Sequence, residues 1–223
     1  RLGIFFVKIS LNLGLPIKAP LKRTIFEQFC GGESFETSQK TVESLGKYGV
    51  SSVLDYSVEG KEEDHILEAT MEEILNSIHK AKGNALIPFA VFKVSGIAPS
   101  SILAKVQSKQ ELLPKERKRI DEAKERVFKL CEAASKSGVK LMVDGEESWF
   151  QAVTDHWILE AMKTYNKEEA IIYNTFQMYR KVMSRRLRDA HHEAVANSFY
   201  LGVKLVRGAY MEKERQKAKK EGY

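Results

Sequence analysis

The sequence predicts an α/β fold of parallel strands and crossover helices, about five βα units behind an N-terminal arm. Two observations predict it. Five short apolar runs recur along the chain, "VSSVLDYS", "ALIPFAVFKVSG", "VKLMVDGEE", "EAIIYNTFQ" and "GVKLVRGAY", each with the β-branched and aromatic content of a strand buried on both faces. Between them stand longer segments of helical period, Glu62 to Ala81, Lys115 to Ser135, Trp149 to Thr164 and Tyr179 to Tyr200. Strand and helix in alternation imply either a (β/α) barrel or a doubly wound sheet.

The elements follow in order. Residues 1–48 form the arm. Its start, "RLGIFFVKISLNLGLPIKAPLKR", mixes Phe5, Phe6, Val7, Leu11 and Leu13 with Lys8, Lys18, Lys22 and Arg23. Such a segment packs as a helix on the rest of a protein, and the same composition suits peripheral contact with a membrane surface. Pro16 and Pro20 interrupt helical geometry. "CGGES" reads as a turn, and "FETSQKTVESLGKYG" as a helix closed by Gly49. Residues 49–223 carry the strand and helix units, and Gly138 and Gly202 stand where helices should stop.

Composition narrows the function. Of 223 residues, 43% are hydrophobic, enough for one substantial core. No stretch approaches the roughly 20 apolar residues that span a bilayer. The net charge is +6, but both signs are mixed along the chain, so nucleic-acid binding is not expected. The run "KERKRIDEAKERVFK" reads as a solvated helix face. Cys30 and Cys131 are far apart, which excludes a disulfide framework or zinc-ribbon spacing. His191 and His192 are adjacent on a helix and point about 100° apart, a poor metal pair. No metal site is expected.

The polar residues that remain stand at strand ends. Asp55, Lys93, Asp144, Gln177 and Arg207 each close one apolar run, and in parallel α/β folds that end carries the active site. Side chains two apart in a strand share a face. An extended Gly202 to Tyr210 would therefore aim Lys204, Val206, Gly208 and Tyr210 one way, so that Lys204 and Tyr210 reach one cavity. Gly208 between them would let a flat ligand approach the backbone. Trp149 and Phe150 read as an apolar anchor of the following helix or as lining of that cavity.

The motifs "LDYSVEGKE", "FKVSGIA", "LMVDGEESWFQ", "YNTFQMY" and "GVKLVRGAYMEKER", in this order from about Phe26 to the end, resemble the proline dehydrogenase family in the branch that includes the mitochondrial enzymes. The resemblance implies a (β/α)8 TIM-type barrel, present here as about its first five units, holding FAD at the strand C-termini. It also implies oxidation of L-proline to Δ1-pyrroline-5-carboxylate by hydride transfer to the flavin, with electrons passed to a membrane quinone. Hydroxyproline dehydrogenase is the alternative on the same scaffold, and a non-catalytic basic or membrane-associated remnant is a second. A bacterial protein would be cytoplasmic beside the inner membrane; a eukaryotic one would be mitochondrial, at the inner membrane or in the matrix.

Carried over by motif, Lys93 matches the lysine that binds the substrate carboxylate, with Asp144 beside it near the flavin. Lys204 falls where some members have a catalytic arginine, and Tyr210 matches a tyrosine at the active site. Gly145, Gln177, Val206, Arg207, Gly208 and Ala209 match cofactor-binding positions, with Gly145 replacing a common alanine. A lysine on the carboxylate orients the substrate through a charge-assisted hydrogen bond, and Asp144 is expected to hold that lysine charged. The family's later arginine pair is not in this sequence, since "SRRLRDAHH" precedes "VKLVRGAY". A partial barrel is expected to be inactive alone, with strand edges open.

Overall fold

The computed structural model describes Thr24, residues 31–32, 35–56 and 60–222. Two compact units divide at Ser51 and Ser52. The basic apolar arm, and with it the expected membrane contact, lies outside the described residues. In the first unit, helix α1 (Phe35–Gly46) is described, and Thr41 Oγ1 donates to the Gly31 carbonyl at 2.9 Å. The chain turns after Gly46 through Gly49, whose φ is +71°.

The second unit holds a five-stranded parallel sheet, β1 (Val53–Asp55), β2 (Phe89–Phe92), β3 (Lys140–Val143), β4 (Ile172–Gln177) and β5 (Gly202–Val206), paired in the order β1-β2-β3-β4-β5. A doubly wound sheet reverses its strand order at a switch point, whereas a barrel adds each strand beside the last. The unreversed order settles the two-way reading of the sequence as a partial TIM-type barrel.

The helices are α2 (Asp64–Ala81), α3 (Ser100–Gln107), α4 (Pro114–Ser137), α5 (Gln151–Tyr165), α6 (Met183–Ala196) and α7 (Met211–Glu221). Helix α2 buries Leu67, Met71, Ile74, Leu75 and Ile78, the three- and four-residue spacing of a face turned to a core. Helix α4 starts with Pro114 at its first turn, where no backbone N–H is needed. Glu116 reaches back to the Leu113 N–H at 3.0 Å. It ends at Gly138 with φ +65°, the left-handed cap expected from the sequence. Its Arg119 and Arg126 pair with Asp64 and Glu68 of α2 at 2.8 and 3.0 Å.

Two local readings are corrected. The segment from Tyr179 to Tyr200 is helical only over Met183–Ala196, because Asn197 caps it and Ser198 turns at φ +50°. Gly202 therefore does not stop a helix. It opens β5, where a Cβ would lie 2.1 Å from the Ile172 carbonyl oxygen, so the close approach of two backbones requires glycine. Helices α3, between β2 and β3, and α7, after β5, are additional to the helical segments that the sequence predicts.

At the N-terminal end of the sheet, Asn166 is fully buried and joins two loops. Its Nδ2 donates to the Ile172 and Tyr200 carbonyls at 2.9 and 2.8 Å, while its Oδ1 accepts from the Ile171 and Ile172 N–H groups at 3.1 and 2.8 Å. All four side-chain bonds of an amide are thus used to set β5 beside β4.

Candidate active site

Sheet register brings the chemistry-bearing residues to one level. Phe92 lies opposite Val143, Val143 opposite Asn174, and Thr175 opposite Lys204. One residue further along, with the Asp144 N–H on the Phe92 carbonyl at 2.9 Å, Lys93 stands opposite Asp144 and Asp144 opposite Thr175. The strand faces alternate: Leu141 and Val143 are buried while Met142 and Asp144 are half-buried. Lys93, Asp144, Thr175 and Lys204 accordingly form one layer at the C-terminal rim.

Within that layer the charges pair across strands. Lys204 Nζ lies 2.5 Å from Asp144 Oδ1, with side-chain exposures of 30% and 23%. Parallel neighbours are about 4.8 Å apart, so β4 separates the two backbones by two spacings and only a long side chain such as lysine spans them. Thr175, beneath that bridge, turns its hydroxyl to the Val143 carbonyl at 2.7 Å. Lys93 Nζ lies 3.1 Å from Asp55 Oδ2 on β1. The ion pairs described here join Asp144 to Lys204 and Asp55 to Lys93.

Two residues beyond this layer stands a buried polar knot. Glu146 is 2% exposed. Its carboxyl accepts from the Ser95 N–H at 3.0 Å and from the Ser95 hydroxyl. Its own N–H donates to Gln151 Oε1 at 2.5 Å, and its carbonyl accepts from Gln177 Nε2 at 2.7 Å. Burial raises its pKa to about 7, against the hydrogen bonds from Ser95 and the charge of Lys93, and with the like charge of Glu147. Gln177 is itself buried, and Arg180 donates to its Oε1 at 3.2 Å. Gly145 lies against it: a methyl there would come within 3.1 Å of Gln177 Cγ and Thr175 Cγ2.

After Val206, whose carbonyl accepts from the Met178 N–H at 2.9 Å, the chain leaves the sheet. Arg207 and Gly208 are exposed and Ala209 half-buried. Tyr210 takes φ +56° to start α7, a left-handed conformation uncommon for a bulky residue. Strand alternation therefore does not carry from Lys204 to Tyr210, because the extended geometry it requires ends four residues earlier. A Cβ at Gly208 would have Met211 Sδ at 3.6 Å, an ordinary van der Waals contact, as its nearest neighbour. Helix α7 is tied to the loop after β3. Glu214 accepts from the Ser148 N–H and hydroxyl at 2.7 and 2.8 Å, Lys213 pairs with Glu147, and Lys217 lies 4.7 Å from the Trp149 ring centre. Phe150, 2% exposed, is the apolar anchor of α5.

Lys93, Asp144 and Lys204 are thus gathered on one rim with Asp55, and Gln177 lies next to Gly145. Sequence reasoning missed Ser95, Glu146, Thr175 and Arg180. Thr175 was legible as the inward neighbour of Gln177 by two-residue parity. Nothing local distinguishes Glu146 from Glu147 in "DGEES". Among the described residues no group of acids, histidines or cysteines is arranged to hold a metal.

Comparison with known proteins agrees with this architecture. The sequence profile of proline dehydrogenase matches residues 38–223. Mitochondrial proline dehydrogenase 1 of Drosophila melanogaster is 32% identical over 238 residues, covering 99% of this chain and 33% of its own length. That of Dictyostelium discoideum is 29% identical over 253 residues, covering 95% and 44%. The carbapenem antibiotics biosynthesis protein CarD of Pectobacterium carotovorum is 32% identical over 188 residues, covering 84% and 50%. The chain therefore spans half or less of the length of these relatives. Among solved structures, proline utilization A of Bdellovibrio bacteriovorus superposes with a TM-score of 0.73 at 16% identity, covering 88% of this chain and 21% of that one; at that identity the likeness is one of fold. With the profile matched along most of its length, this chain belongs to the proline dehydrogenase family.

Proposed function

We propose that the protein of which this chain is part oxidises L-proline to Δ1-pyrroline-5-carboxylate with FAD and passes the electrons to a membrane quinone. The observation that supports this most is the single layer of Lys93, Asp144 and Lys204 at the strand C-termini. The donor set fits the cofactor. Gln177 offers a buried amide with one Nε2 hydrogen beyond its bond to Glu146. Gly145, Val206 and Arg207 to Ala209 would hold the ring and its anionic edge, with the open side of Gly208 as cradle. When bound, the flavin supplies the hydride acceptor.

The chain's own residues do the rest. Lys93 binds the substrate carboxylate and so sets C5 in line for hydride loss. Asp55 keeps that ammonium in place while the carboxylate enters. Lys204, steadied by Asp144, places positive charge where negative charge develops. Tyr210, at the left-handed turn that opens α7, takes its active-site role from the family motif alone. The mitochondrial names of several relatives favour a mitochondrial setting for a eukaryotic protein. Among the described residues no helix is long and apolar enough to cross a membrane, and the membrane contact is assigned to the N-terminal arm.

Anaerobic addition of L-proline to the full-length protein is the test, with hydroxyproline as a parallel arm. Bleaching of the flavin band by proline, faster than by hydroxyproline, is expected. Faster bleaching by hydroxyproline would reassign the substrate. A colourless protein would point to a non-catalytic remnant.

A further inference from the structure

We propose that Glu146 is a positioning residue: it latches the turn that carries Lys93 to the end of β3 that carries Asp144. This rests on the reading of Lys93 as the substrate-carboxylate ligand. Lys93 is the last residue before a 3-10 turn, Val94–Gly96, and the Gly96 N–H closes that turn on the Lys93 carbonyl at 3.1 Å. Ser95 sits in the middle of the turn. Both of its donors, N–H and hydroxyl, end on the Glu146 carboxyl, one on each oxygen. Glu146 is thus the side chain that sets where the turn, and with it the Lys93 backbone, lies relative to β3. Its carbonyl meanwhile holds Gln177 of β4, so three consecutive strand ends converge on one residue.

A carboxylate holds these two donors more strongly than an amide does. An ionised carboxylate accepts at both oxygens, matching two donors from one serine. Glutamine would accept the Ser95 N–H at its one oxygen and donate its NH2 to the Ser95 hydroxyl, which must turn to accept, so two charge-assisted bonds become two weaker neutral ones. A protonated carboxyl likewise loses one strong acceptor. The latch is therefore tightest when Glu146 is charged, and Glu146 titrates near 7. The charged groups around it are Lys93, which favours the ionised form, and Glu147, which opposes it. Asp55 stands behind Lys93 and Lys213 behind Glu147.

The experiment compares wild type, Glu146→Gln and Ser95→Ala in the full-length, flavin-loaded protein. Hydrogen exchange over Val94–Ile97, corrected for intrinsic rates, reads the latch without substrate. At pH 8 both variants should exchange faster than wild type, and near pH 5.5 wild type and Glu146→Gln should converge. In turnover, flavin content should hold, and KM for L-proline at pH 8 should rise on the order of tenfold, more than kcat falls. The KM gap should close on acidification. Equal exchange at every pH, or a KM gap independent of pH, would overturn the proposal. Ser95→Ala removes only one hydroxyl, so it decides the matter by the same readouts if Glu146→Gln does not fold. Should wild type fail to respond to proline, the substrate reading falls, while the exchange measurement still supports or sinks the latch.

Discussion

Lys204 Nζ and Asp144 Oδ1 meet at 2.5 Å across the intervening strand β4, joining residues 60 apart in sequence. Removing either partner leaves the other charge half-buried and alone, which is more costly than losing the pair. In a double-mutant cycle of Asp144→Ala and Lys204→Met in the full-length protein, a coupling of about 1–2 kcal/mol in flavin reduction is expected. The cycle of Asp144 with Lys93 should show less. A larger coupling for Lys93 would mean that the ion pairs exchange when substrate binds.

Glu146 ties stability to pH. Its pKa is raised by burial from 4.5 to about 7 in the folded chain. The stabilisation is therefore fully present below about 4.5 and is lost as pH rises to about 7, because the unfolded chain releases its proton first. The loss amounts to about 3 kcal/mol. Urea midpoints should thus fall for wild type relative to Glu146→Gln between pH 5 and pH 8. Parallel midpoints at the two pH values would mean that Glu146 is already ionised at pH 5. Charging a buried group at a cost in stability is common where a site needs that charge.

Gly145→Ala puts a methyl 3.1 Å from Gln177 Cγ and Thr175 Cγ2. Both neighbours are held by hydrogen bonds, Gln177 to Glu146 and Thr175 to Val143, so they yield at a cost. Destabilisation of roughly 1–2 kcal/mol is expected, read as a lower denaturation midpoint, together with a shifted flavin absorption band if Gln177 contacts the ring. An unchanged midpoint would show that Gln177 has a second resting place.

Asn166→Asp keeps the shape and removes the donors. The Ile172 and Tyr200 carbonyls would lose their bonds, and a buried charge or proton would replace an amide. A loss of about 3 kcal/mol or more is expected, visible as a lowered thermal midpoint. Because Asn166 lies at the end of the sheet opposite the rim, the proline KM of the surviving folded protein should be close to wild type. A KM effect as large as the stability effect would contradict that separation.

The sequence alone determined the order of the five strands and four of the helices between them, the strand ends that carry Lys93, Asp144 and Gln177, and the left-handed cap at Gly138, because apolar runs, helical period and glycine caps are written within a few residues of one another. It also carried the family, through motifs that keep their order. The tertiary structure decided the partners. Asp144 could reach Lys93 or Lys204, and only the stagger of β3, β4 and β5 sets which ammonium arrives. Glu146 finds its hydrogen-bond partner in Ser95, 51 residues earlier, and the need for glycine at 202 comes from the backbone of β4. The left-handed turn at Tyr210 ended an alternation that its letters alone would continue. Pairings of this kind are fixed by packing between strands, and no local pattern encodes the distance between two segments that meet only after the sheet has formed.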